Sequence, residues 1–253
     1  MEKGSIIGLP LGVGMILTGM ILEGGHMKSI MGGPAFMIVV GGALGATLLD
    51  VPFTATMLAL KRLKLAFLGS HHDYDALVEQ ICNLASIARK DGLLALEKQK
   101  DSIEDPLLKE GIKFAVDGLE PNLVSQMLES RIEHRATENE LAAKFYTQFG
   151  AYCPTVGILG AVLGLIHVME NLSNPDAIGP GIAVAFIATV YGVGFSNLLF
   201  MPLGSKLKAM AHHEGLYYEM IRVGVKDIQS GTSPTIISSH LLAIVDQDAK
   251  EEV

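Results

Sequence analysis

The chain has 253 residues, of which 49% are hydrophobic and 18% charged, with a formal net charge of −8. Its mean hydropathy is +0.39, and the apolar residues fall in long runs, which argues for membrane spans over a large soluble core. The two cysteines, Cys82 and Cys153, lie in different segments with no CxxC or His/Cys cluster, so neither a zinc site nor a disulfide framework is read here.

Four apolar runs approach the roughly 20 residues a bilayer requires. The first covers about residues 5–22 and is read as a retained span, because no small-x-small cleavage site with a polar mature region follows it. A turn-rich link, EGGHMKSIMGG, leads to the second run, about residues 34–60. That run exceeds one bilayer, so its end is expected to project as a helix into water. The third covers about residues 149–169 and the fourth about 181–203, joined by ENLSNPDAIGP.

Lysine and arginine placement sets the orientation. Lys61, Arg62 and Lys64 open the middle segment and Lys144 closes it, Lys206 and Lys208 open the tail, and the two links hold only Lys28. The links are therefore expected outside, with the middle segment, the tail and the N-terminus cytoplasmic. The domain boundaries follow: 1–60 for spans one and two, 61–147 for a cytoplasmic helical segment, 148–203 for spans three and four, and 204–253 for a tail. The fold class expected is an all-α integral membrane protein.

Within the middle segment, Leu77, Ile81, Leu84 and Ile87 recur at helical spacing until Gly92 interrupts them. Asp73 and Asp75 are N-cap candidates, and Pro121 stands where a helix would start.

Span three carries Gly157, Gly160 and Gly164 on one face with Ala161 beside them; span four carries Ala185, Ala188, Gly192 and Ser196, with Thr189 adjacent. Small residues let helix backbones approach in lipid. The pattern alone reads as packing of the bundle on itself. Pro154 enters span three and Pro202 leaves span four, a pair that allows bending because each removes a backbone donor. His167 reads as an interfacial side chain, and Asp50 lies at the edge of its span, where exposure costs little. Thr189 is the best polar candidate, its hydroxyl able to bond a carboxylic acid or a cation. No convincing buried acid accompanies it, so an ion crossing here requires a titrating group from another chain.

ARKDGLLALE (88–97), PTVGILGAVLGLI (154–166), NPDAIGPGIAVAFIATVYGVGFSN (174–197) and MPLGSKL (201–207), in this order, resemble the MotA/PomA family of flagellar motor stator subunits. The resemblance covers essentially the whole chain. It implies a homo-oligomeric ring, a pentamer, around a dimer of MotB-like single-span partners whose membrane Asp carries the ion. It implies that Ala161, Thr189, Pro154 and Pro202 belong to the ion path. Gly157, Gly160, Gly164, Ala185, Ala188 and Gly192 would then receive the partner helix. Arg89 and Glu97, with Lys90 adjacent, match the positions that engage the rotor protein FliG. Without the resemblance, these three read as a solvated helix surface.

Sodium-type relatives tend to carry Thr where this chain has Ala161, and paired Thr where it has Ala188 and Thr189. Sodium needs several oxygens to replace its water, and a proton needs one acceptor, so H+ is the expected ion and Na+ the alternative. No resident cofactor or metal is expected. The other functional readings are an ExbB/TolQ-type energiser, against which four spans argue, and a passive membrane scaffold. No nucleophile–base pair, metal cluster or phosphate loop indicates an enzyme, and sparse, dispersed basic residues give no nucleic-acid surface.

Overall fold

The computed structural model describes residues 3–69 and 72–251, and among these every regular element is a helix. The chain divides into two compact units: Met1–Ser70 with Glu138–Met210, and His71–Thr137 with Ala211–Val253.

In the first unit α1 (Lys3–Leu22) is apolar from Ile7 onward. After a 3₁₀ turn at Met27–Ile30, α2 (Gly33–Phe36), a π turn at Met37–Gly41 and α3 (Gly42–Asp50) form one helical stretch. It ends at Val51, which is extended (φ −114°, ψ 146°), and α4 (Phe53–Leu68) starts afresh. The second apolar run is therefore two helices. Pro52 forces the break, because its ring disfavours helical geometry in the residue before it. The part long and apolar enough to cross a membrane is Gly33–Asp50, and residues 53–60 belong to a separate helix.

The core of the second unit is a helical bundle. α5 (Tyr74–Asp91) starts on Asp73, whose carboxylate accepts the Ala76 N–H at 3.0 Å, and presents Leu77, Ile81 and Leu84 inward. It stops at Gly92, whose φ of +84° suits a residue without Cβ. A 3₁₀ segment, Leu93–Ser102, buries Leu96 completely. α6 (Pro106–Val116) is capped by Asp105, which accepts from the N–H groups of Leu107 and Leu108 at 2.8 and 2.9 Å.

α7 (Pro121–Glu170) opens at Pro121 as expected and continues for 50 residues through Pro154. α8 (Pro175–Phe195) is followed by a π turn at Ser196–Phe200 and then by α9 (Met201–Gln229) and α10 (Pro234–Glu251). α7 and α9 each contribute residues to both units.

Val124 and Leu128 of α7, Met220, Ile221, Val225 and Ile228 of α9, and Ile237 and Leu241 of α10 complete the second unit's core. Arg135 lies 4.8 Å above the Tyr218 ring and 3.6 Å from Glu214, which accepts the Tyr218 hydroxyl. Burial raises the Tyr218 phenol above its ordinary range, and the neighbouring Glu214 charge raises it further. The Cys82 thiol, half-buried against the Pro234 carbonyl at 3.3 Å, is also pushed up by burial.

Among the described residues, Gly33–Asp50 and windows within Pro121–Glu170 and Ile178–Gln229 are long and apolar enough to cross a membrane. Ile7–Leu22, in the expected first span, is apolar but shorter.

Candidate functional site

The small-residue faces of α7 and α8 meet each other. A Cβ added at Gly157 would stand 2.9 Å from the Ala188 carbonyl oxygen and 3.1 Å from the Gly192 Cα. At Gly160 it would meet the Ala188 Cβ at 2.9 Å, and at Gly164 the Ala185 backbone nitrogen at 3.0 Å. From the other side, a Cβ at Gly192 would lie 2.7 Å from the Cys153 carbonyl oxygen. Ala185 and Ala188 are buried in the same seam. These six residues, which the resemblance implies receive a partner helix, pack on one another here, as the small-residue pattern read alone suggests. Their space is filled by this chain's own backbone, because in lipid close backbone approach is what draws two helices together.

The ion-path residues lie beside this seam. Pro154, Ala161 and Thr189 are each half-buried, and Pro202 is exposed. The Thr189 hydroxyl makes a long 3.4 Å bond to the Ala185 carbonyl. Pro154 is in the interior of α7, where its ring cannot donate to the Gly150 carbonyl. Pro202 stands two residues beyond the π turn Ser196–Phe200, where its ring nitrogen cannot donate to the Leu198 carbonyl. The two prolines thus occupy different settings, one in an unbroken α-helix and one beside a widened turn.

Arg89 and Lys90 are exposed in the last turn of α5, and Glu97 is exposed in the 3₁₀ segment beyond Gly92, where it pairs with Lys100 at 3.2 Å. These charges flank one sharp break in the chain. His167 is exposed near the end of α7, its carbonyl accepting the Asn171 side-chain amide at 2.8 Å. Asp50 ends α3 and is exposed, as its position at the edge of the span implied.

Sequence reading overlooked Tyr191. Its hydroxyl donates to the Ile30 carbonyl at 2.6 Å and accepts the Gly32 N–H at 3.1 Å. Its ring lies edge-on to Phe36 (centroids 6.2 Å apart) and 5.6 Å from Phe195. Tyr191 therefore fastens the link after α1 to α8, two residues from Thr189. The available signal was a single tyrosine in an otherwise apolar run, since a hydroxyl in that setting requires a partner.

Residues 6–92 match the family model described as Motility protein A N-terminal, and residues 99–220 match the MotA/TolQ/ExbB proton channel family. Motility protein A of Bacillus subtilis is 30% identical over 96% of this chain and 90% of its own length. The chain belongs to the MotA family of flagellar stator subunits. The family chain from Vibrio alginolyticus named Chemotaxis protein PomA is 32% identical over 95% of this chain and 94% of its own. Among solved structures, that of C. jejuni MotAB superposes with a TM-score of 0.91 at 34% identity, covering 96% of both chains. The all-helical fold and the α7–α8 pair are thus those of a MotA-type membrane protein.

Proposed function

We propose that this chain is one of five MotA-type subunits ringed around a dimer of MotB-like single-span partners in the bacterial inner membrane, coupling H+ flow to torque. α1, Gly33–Asp50, and the apolar parts of α7 and of α8 with the start of α9 are the four spans. Both termini, residues 61–147 and the tail lie in the cytoplasm.

One observation carries the reading. The half-buried margin of the α7–α8 seam holds Thr189 and Pro154, yet residues 149–169 and 181–203 contain no Asp, Glu, Lys or Arg. An ion crossing there needs a carboxylate from another chain, as a MotB-like Asp would supply. That partner approaches beside the seam, along the edge marked by Pro154, Ala161 and Thr189. With a single hydroxyl at this edge, a proton can be handed to an acceptor, whereas sodium lacks the oxygens to replace its water. One elementary charge falling through about 100 mV releases about 2.3 kcal/mol, enough to bias a step between two arrangements. Arg89, Lys90 and Glu97 present the charge that meets FliG, guiding transient contacts without tight binding.

Swimming speed of cells dependent on this chain and its native partner is the direct test, at constant proton motive force with sodium varied. Speed independent of sodium and abolished by a protonophore is expected. Speed that saturates with sodium would overturn the coupling ion. Motility indifferent to the chain would favour an ExbB/TolQ-like or scaffold role.

A further inference from the structure

A cavity of about 290 Å³ opens where α1, α4, the second π turn and the start of α9 come together. Leu9, Phe67, Leu198, Leu199 and Leu203 give it an apolar wall, while Gly4 and Gly8 present no side chain to it. Its polar lining residues are Asn197, whose amide also donates to the Val193 carbonyl at 3.0 Å, and Lys206. Gly204, two residues before Lys206, packs on Ala143 and Thr147 of α7, so Lys206 lies level with Lys144, the basic residue at the other helix's boundary. An apolar slot with a cation at that boundary has two chemistries in the order a phospholipid presents them, a chain and then a phosphate.

We propose that this groove is a binding site for an anionic glycerophospholipid of the cytoplasmic leaflet, one acyl chain lying on Leu9, Phe67 and Leu198 and the phosphate facing Lys206. Charge complementarity selects the lipid, because basic pockets between spans on the cytoplasmic side favour anionic headgroups over zwitterionic ones. The missing Cβ atoms of Gly4 and Gly8 keep the slot open. The bound lipid abuts Pro202, one of the expected ion-path residues, and the π turn before it.

The inference rests on the membrane orientation proposed above, which labelling of Ser205→Cys from the cytoplasmic face reads independently of any lipid. The test is native mass spectrometry of the chain co-purified with its native partner, in nanodiscs of phosphatidylglycerol or phosphatidylcholine with matched acyl chains. The wild type should retain phosphatidylglycerol preferentially. Lys206→Gln should cut that preference about fivefold, Lys206→Arg should keep it, and Gly8→Leu should expel both lipids by filling the slot. Equal retention of the two lipids by the wild type, or an unchanged preference in Lys206→Gln, would overturn the site. Smaller assemblies in Gly8→Leu with lipid retention unchanged would also overturn it, by showing that a second copy fills the groove. Lys206→Gln and Lys206→Arg change little volume, so the proposal stays testable if Gly8→Leu fails to insert.

Discussion

Glycine spacing carries two kinds of information, and only one was readable. That Gly157, Gly160 and Gly164 form a flat face follows from helical periodicity, but what fills that face does not, since any close backbone satisfies it. The structure distinguishes glycines that touch backbone from those that face open space. Gly192→Ala should lower the thermal stability of the purified complex by about 1–3 kcal/mol, because the Cys153 carbonyl cannot rotate away as a side chain would. Gly45→Ala, with nothing within 4 Å of its Cβ, should be nearly neutral. Equal melting shifts for the two variants would refute the seam as drawn. Cys82 allows a second test at this scale. Its raised thiol pKa means less thiolate at neutral pH than a free cysteine has, so maleimide should label the native chain more slowly than the unfolded chain. The gap should narrow as pH rises; equal rates at neutral pH would contradict the burial of this thiol.

Helix starts were the most legible elements, because capping is local chemistry. Asp73 and Pro121 stand where side-chain types alone placed them. Asp105 satisfies two otherwise unpaired N–H groups of α6, so Asp105→Ala should cost the folded chain about 1 kcal/mol, read as a lower denaturant midpoint. An unchanged midpoint would mean that water replaces the carboxylate freely. The break at Val51–Pro52 was misread because apolar character continues across it. Hydropathy records burial, whereas the break is a steric matter between a proline ring and the backbone before it. Tyr191 was hidden for a related reason, since its partners are backbone groups about 160 residues away and leave no pattern in the sequence. Tyr191→Phe keeps the ring and loses both bonds, leaving the Ile30 carbonyl and Gly32 N–H unpaired at a cost of about 1–3 kcal/mol. The link at residues 26–32 should then be cleaved faster by added protease; unchanged cleavage would mean the aromatic contacts suffice to hold it.

At the scale of the molecule, the ordered motifs placed the chain in its family, and hydropathy marked the three stretches that the structure forms as long apolar helices. The small-residue pattern read alone pointed to packing of the bundle on itself, as α7 and α8 do, but the residue-by-residue register of that seam is not written along one helix. Arg89 and Glu97 are exposed, so Arg89→Glu and Glu97→Lys should leave the melting temperature within about 0.5 kcal/mol of stability while reducing swimming on soft agar. Loss of motility accompanied by unfolding would reassign these charges from the proposed rotor contact to the fold. The glycine seam also bears on entropy. Glycine and alanine have no rotamers to freeze, so closing α8 on α7 at these positions costs almost no side-chain conformational entropy. Larger residues in lipid would have to be ordered one by one, and warming would loosen them. A joint with nothing to disorder has little thermal play, so the two helices should move as one piece, and any flexing in a power stroke falls to the widened turns and the bend at Val51 instead.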